Sequence, residues 1–246
     1  MIYDGVAPAD LAARLKAPGC LSLVRVTSTM DIVHELAGEG APAGTVVLAD
    51  EQVAGRGRQG RVWHSSRGTG VWLGYLARPE RATEGGVLSL RVGLAVVEAV
   101  AEVGASARLK WPNDVVLEDR KLAGVLCEAR WVADKLAWVA VGIGVNVHRP
   151  LPGEIADRAI ALTEVVPDAT RLKVLEALVP RLHRMPDLPD LAESERKAYE
   201  RCDWLAGRKI HEPVRGTAIG VDRDGALMVE TGRGVSRVVG GTVECS

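Results

Sequence analysis

The sequence predicts an α+β fold: a β-sheet carrying packed helices, followed by a small β-barrel. Three observations predict it. Apolar residues recur with strand spacing in residues 21–26, 46–49 and 71–77 and in four β-rich segments between 109 and 147. Residues 88–103 are apolar all around except for Arg91, Glu98 and Glu102, as a helix lying across a sheet is. From Lys209 onward, short strands alternate with Arg-Gly, Asp-Gly and Gly-rich turns, the pattern of a small barrel.

Taken in order, residues 8–15 read as a short helix and 21–26 as a strand. Thr27-Ser28-Thr29 then precedes a helical pattern of Ile32, Val33, Leu36 and Ala37, with Ser28 and Asp31 spaced as a capping box. A glycine-rich loop joins the strands at 46–49 and 71–77. The central helix follows at 88–103. Segments 109–111, 115–117, 123–131 and 136–147 are antiparallel neighbours in one sheet, with turn chemistry at Glu118-Asp119-Arg120 and Ala133-Asp134-Lys135. Residues 170–185 and 191–205 read as two helices separated by Pro186 and Pro189, the second ended by Gly207. Strands at 210–214, 217–221, 226–230 and 236–239 build the barrel. Such a short unit buries little alone and must pack on the larger one.

Composition narrows the function. The chain has 246 residues, 47% hydrophobic and 26% charged, with a net charge of -1. That balance offers no global field for DNA, RNA or an anionic membrane, so any anion must be held by a local basic cluster. Cys20, Cys127, Cys202 and Cys245 are scattered and form no CxxC pair, which reads as reduced thiols in a cytoplasmic protein. The N-terminus carries Asp4 and Asp10 and does not resemble a signal peptide. The longest apolar run, 136–145, contains two glycines and is well short of the roughly 18 residues a membrane span needs.

Two basic clusters stand out. In Gly55-Arg56-Gly57-Arg58-Gln59-Gly60-Arg61, three arginines alternate with three glycines, so that backbone amides and guanidinium forks can converge on one anion. The loop matches neither the P-loop nor the dinucleotide-binding turn, and a solvated basic loop or an RNA-binding segment would have the same composition. The second cluster is Lys110-Trp111-Pro112-Asn113-Asp114, followed by Lys121-Leu122-Ala123-Gly124. Only seven lysines occur in the chain, and two lie here.

These segments, with Thr27-Ser28-Thr29, Gln52, Trp63, Ser65 and Gly142-Ile143-Gly144-Val145-Asn146, resemble the biotin protein ligases in content and order. The resemblance implies a mixed β-sheet catalytic unit of the class II synthetase-like biotin/lipoate ligase type over residues 1–206 and an SH3-like barrel over 207–246. It implies activation of biotin by MgATP to biotinyl-AMP, then transfer to a lysine of a biotin carboxyl carrier domain. Ser28, Thr29, Gln52, Gly55, Arg56, Arg58, Trp63, Trp111, Lys121 and Gly124 are the implied biotin contacts. Arg56, Arg58, Arg61, Lys110, Asn113, Lys121 and Asn146 are the implied nucleotide contacts. Catalysis falls to Lys121, Arg58 and Asp114. An ammonium at Lys121 would neutralise the carboxylate and the α-phosphate as they approach. Asp114 has two roles open to it, a Mg²⁺ ligand or an orienting base for the incoming amine.

Three departures and one omission shape further expectations. Met30 stands where the family commonly has asparagine, removing two hydrogen-bonding groups. Only 26 residues precede Thr27, too few for a DNA-binding domain with a linker, so repressor activity is not expected. No tryptophan lies between Trp138 and Trp204, so adenine must meet aliphatic side chains in the weakly matching region 150–205. His64, without a partner carboxylate in view, is set aside. Pairing of two copies through a sheet edge stays open. Loop 55–61 has few apolar anchors and is expected to act as a lid that orders on ligand.

Overall fold

Pro8 at the first helical position opens helix α1 (Pro8–Leu15), and Lys16 in the left-handed region closes it. The structure is a computed structural model and describes residues 1–80 and 85–246. After α1 come β1 (Cys20–Val26), α2 (Thr29–Gly38), β2 (Val46–Gln52), β3 (Gly70–Ala77) and α3 (Gly85–Val103). Then follow β4 (Arg108–Lys110), β5 (Asp114–Leu117), β6 (Arg120–Val132), β7 (Lys135–Asn146), α4 (Arg171–His183) and α5 (Glu193–Cys202). The chain ends in β8 (Lys209–Glu212), β9 (Gly216–Val221), β10 (Leu227–Thr231), β11 (Gly234–Val238) and β12 (Glu244–Cys245).

The large sheet has seven strands in the order β1-β2-β3-β7-β6-β5-β4. It is mixed: β1 and β2 are parallel and every other pair is antiparallel. Both turns expected from the sequence form, with Glu118-Asp119 and Ala133-Asp134 at positive φ as type I′ hairpin turns require. One core joins α1, α3 and α4 to the sheet through residues such as Leu11, Leu48, Leu73, Leu90, Val141 and Leu178. A second, smaller core packs α2 on the sheet through Met30, Val33, Ala37, Val47, Leu76 and Ala140. Burying these faces is the main stabilising term, at about 25 cal/mol per Å² of apolar surface.

The C-terminal sheet runs β11-β10-β9-β8-β12 and is antiparallel throughout. It docks on the larger unit: Trp111 Nε1 donates to Gly225 O at 2.9 Å, and Leu191 N to Arg223 O at 2.7 Å.

Three sequence expectations need correction. The capping box at α2 does not form. Ser28 Oγ accepts from Met30 N at 3.3 Å, while Asp31 accepts from Thr27 Oγ1 at 3.0 Å and not from the cap backbone. Gly207 does not end α5, which stops at Cys202 with Asp203 extended; the glycine, at φ 75°, serves the turn into β8. Strand β12 was not anticipated, because two residues are too short to show a period. No described helix is long and apolar enough to cross a membrane.

Candidate active site

A cavity of about 530 Å³ opens beside the N-terminus of α2, within the usual size for a small-molecule site. Gly124, Gly142 and Gly144 form its floor. Gly74 pairs with Gly142, and Gly144 with Gly124, across β3, β7 and β6. Alternation along a strand puts all four on one face of the sheet. A methyl group at Gly144 would stand 2.3 Å from Trp63 ring atoms, and one at Gly142 2.7 Å from Met30 Sδ. The bare backbone is therefore what lets Trp63 and the first turn of α2 lie against the sheet.

A hydrogen-bonded chain sets the polar end. Thr29 N and Oγ1 donate to Gln52 Oε1 at 2.8 and 3.1 Å, Gln52 Nε2 donates to Ser65 Oγ at 2.8 Å, and Ser65 Oγ donates to Trp63 O at 3.3 Å. Ser28 and Thr29 are buried, and both line the cavity with Gln52. The indole Nε1 of Trp63 is buried and has no hydrogen-bond partner among the described residues. An orphaned buried donor is costly unless a ligand supplies the acceptor.

Lys121 reaches this face through a bulge. The β5–β6 register runs Asp114 to Gly124 and Val115 to Ala123, then shifts so that Val116 faces Lys121. Leu122 is the extra residue, and it is fully buried. In an unbulged strand Lys121 and Gly124 would point to opposite faces; here Lys121 Nζ comes within 3.5 Å of the Cβ position of Gly124. Its ammonium pairs with Asp114 Oδ1 at 2.7 Å and stands 5.1 Å from the Trp63 ring centre. Its backbone is clamped by Arg158 O at 2.8 Å and Ile160 N at 3.0 Å. The buried Asn146 donates to Lys121 O at 3.4 Å.

The arginine loop folds on itself. Trp63 N donates to Gly55 O at 2.9 Å, and Gly57 N to Arg61 O at 2.8 Å around a 3₁₀ turn, Arg58–Gly60. Gly55 does not line the cavity, contrary to the expected biotin contact. It sits where a Cβ would come 2.3 Å from Trp63 O, so its part is to let the two limbs of the loop approach. Arg58 Nη1 donates to Asn113 Oδ1 at 3.3 Å, and Asn113 Nδ2 to Val125 O at 2.7 Å. Arg56 faces the cavity with its fork engaged by Asp31 at 2.7 Å and Glu128 at 3.4 Å. Arg61 donates to Thr242 Oγ1 of the barrel at 3.0 Å.

The structure thus gathers Ser28, Thr29, Gln52, Arg56, Arg58, Arg61, Trp63, Lys110, Trp111, Asn113, Asp114, Lys121, Gly124 and Asn146 around one cavity and leaves Gly55 behind it. Trp111 is both wall and core, being 2% exposed. Sequence reasoning missed Gly241, Thr242 and Val243 of the barrel and Arg158, which also line it. Ile155 and Ala159 are aliphatic lining from the region where such contacts were expected. His64, set aside for want of a carboxylate, has one: Glu154 Oε1 lies 3.1 Å from its Nε2. Nothing in the sequence linked two residues ninety positions apart.

Arg56, Arg58, Arg61, Lys110, Lys121 and Arg158 line the cavity against one carboxylate, Asp114. A chain of nearly zero net charge thereby concentrates positive potential where a polyanion would lie. No described group of three or more His, Cys, Asp and Glu side chains could cage a metal ion. One carboxylate fits Mg²⁺ that arrives with nucleotide phosphates, which supply most of its oxygen ligands.

Comparison with known proteins agrees with this geometry. Residues 22–146 match the biotin/lipoate A/B protein ligase family, and residues 208–245 match the biotin protein ligase C terminal domain. The bifunctional ligase/repressor BirA of Bacillus subtilis is 32% identical over 234 residues, covering 89% of this chain and 71% of its own. The biotin--[acetyl-CoA-carboxylase] ligase of Paracoccus denitrificans is 41% identical, covering 84% of this chain and 92% of its own. The biotin protein ligase of Aquifex aeolicus in complex with biotin and ATP superimposes with a TM-score of 0.76 at 31% identity, covering 93% of this chain and 99% of that one. The chain belongs to the biotin/lipoate A/B protein ligase family and, within it, to the biotin protein ligases.

Proposed function

We infer that this chain activates biotin with ATP and transfers it to a lysine of a biotin carboxyl carrier domain, with acetyl-CoA carboxylase as the target enzyme. The observation that carries the reading is one cavity holding a polar, hydrogen-bonded end, an aromatic wall over bare glycines, and a lysine at the edge of a cationic ring.

In the first step a biotin carboxylate oxygen attacks the α-phosphorus, the bond to pyrophosphate breaks, and a mixed anhydride forms. In the second, the carrier ε-amine attacks the acyl carbon, AMP leaves, and an amide remains after the amine loses a proton. Thr29 and Gln52 orient the biotin head. Trp63 and Trp111 wall its apolar body. Lys121, held by Asp114, neutralises the two anions as they meet, and because it is preorganised it does so without reorganisation cost. Arg58, Arg61 and Lys110 take the phosphates, and Asn113 fixes Arg58. Asp114 would meet Mg²⁺ brought with the nucleotide, which would supply further charge neutralisation.

We place the catalytic unit in residues 1–206 and the barrel in 207–246. Near-neutral net charge supports small substrates and a protein carrier as partners, not nucleic acid. On edge strand β1, exposed Leu21 and Val24 support pairing of two copies. Biotin-dependent exchange of labelled pyrophosphate into ATP tests the activity without needing the right carrier. Exchange with biotin is the expected result; exchange driven by lipoate and not by biotin would overturn the reading.

A further inference from the structure

Lys110 differs from Arg56, Arg58, Arg61 and Lys121 in how it is held. Arg56 and Lys121 pair with carboxylates, and Arg58 and Arg61 donate to neutral oxygens. Lys110 has no carboxylate within ion-pair distance among the described residues; its Nζ lies 4.7 Å from the centre of the Trp204 ring. That distance is within the range of a cation–π contact.

Trp204 is itself fixed from three sides. Its backbone N donates to Leu109 O at 3.0 Å, next to Lys110 on β4. Its Nε1 donates to Asp119 Oδ1 at 2.6 Å in the β5–β6 turn, and the Arg208 guanidinium stacks 3.8 Å from its ring centre. Arg208 also donates to Asp119, at 3.3 Å. The indole is 9% exposed. It stands at the junction of α5 with the barrel, outside the cavity lining.

We propose that Trp204 is a positioning residue that aims the Lys110 ammonium at the nucleotide phosphates while leaving its charge undiminished. A lysine on a four-carbon stem has many rotamers to lose. A carboxylate would hold it equally well but would cancel the charge that a phosphate needs. An aromatic face attracts the cation without neutralising it. Asp119 does not undo this, because Arg208 shares the same oxygen. The assignment rests on the ATP–biotin reading given above.

The test is steady-state pyrophosphate exchange on the full chain. Trp204→Leu raises the KM for MgATP about tenfold, with kcat and the biotin KM within about twofold of wild type. Trp204→Phe, which keeps an aromatic face, stays within about threefold. In a Lys110→Met background, Trp204→Leu adds nothing, since the contact it removes is already gone. If Trp204→Leu does not fold, Asp119→Asn serves: it keeps the turn but removes the charge that holds the indole N–H and Arg208, and raises the MgATP KM about threefold, again only while Lys110 is present. Equal loss toward both substrates, or losses that multiply in the double variant, would overturn the assignment. So would Trp204→Phe failing as badly as Trp204→Leu. If wild type exchanges with biotin and Trp204→Leu keeps the wild-type KM, the assignment alone falls. If wild type shows no biotin-dependent exchange, the underlying reading falls with it.

Discussion

At the scale of single residues, the site rests on one lysine placed by an irregularity and one indole placed by glycines. Lys121 touches both Asp114 and the Trp63 face, so Lys121→Ala removes the charge proposed to meet the reacting oxygens while leaving the strand in place. Its exchange rate is expected to fall by roughly a hundredfold or more, as when a preorganised charge-stabilising donor is lost; a near-normal rate would make it a solvated hairpin lysine. Gly144→Ala tests the floor. The new methyl would meet Trp63 at 2.3 Å, and the indole, whose backbone N is anchored at Gly55 O and whose ring faces Lys121, must tilt. Overpacking of this kind costs about 1–3 kcal/mol. The Kd for biotin is expected to rise roughly tenfold, the equivalent of about 1.4 kcal/mol. Isothermal titration with biotin alone measures it, and an unchanged Kd would mean that Trp63 does not wall the ligand.

At the scale of elements, the arginine loop is a short hairpin with its own backbone hydrogen bonds, tied at Arg58 to Asn113 and at Arg61 to the barrel. Few of these ties bury apolar surface, and local opening is easiest where apolar burial is least. A loop of this kind suits a lid that shields an anhydride from water. Arg58→Gly keeps the backbone turn and loses the guanidinium. A hydrogen bond to a charged group contributes about 1.5–3 kcal/mol, so preformed biotinyl-AMP should leave roughly ten to a hundred times faster, as followed by rapid filtration. Retention at the wild-type rate would show that Arg58 does not hold the adenylate.

The same element shows what a sequence can and cannot reveal. Glycines among arginines marked residues 55–61 as a basic loop, since both features are local. The strand periods of 21–26 and 71–77 and the α3 pattern were legible for the same reason. The bulge at Leu122 was not, because Lys-Leu-Ala-Gly reads as ordinary alternation until β5 supplies its register. Nor was the Gly55 role, which depends on the close return of Trp63 O. Thr242 entered the site, and Glu154 reached His64, through tertiary approach alone.

At the scale of the molecule, an ionic chain centred on the buried Arg171 and Asp50 ties the N-terminal turn, the sheet and α4 together. Arg171 donates to Asp50 Oδ1 at 2.6 Å and to Asp4 Oδ1 at 2.9 Å through Nε, and Arg67 donates to Asp50 Oδ2 at 2.9 Å. Burial pushes the Asp50 carboxyl up, but hydrogen bonds and charge from Arg171 and Arg67 outweigh it and leave the group below the ordinary carboxylate range. A carboxyl with a depressed folded-state pKa binds protons less readily folded than unfolded. Its stabilisation is therefore complete well above the unfolded value of about 3.9 and is lost as pH falls through the folded one. Asp203 has the opposite sign, because burial raises it, but it is present in wild type and variant alike and cancels in their difference. Asp50→Asn breaks one side of a buried pair, which costs about 3 kcal/mol at pH 7. The loss is at the low end of the range for such breaks because Asp4 still faces Arg171. Thermal unfolding should show a gap between the two proteins that is widest near pH 7, begins to shrink near the unfolded value of about 4 and closes once pH has fallen through the depressed folded-state value, below which both lack the charge. A gap of constant size across that interval would mean that Asp50 stabilises by packing and not by its ionised carboxylate.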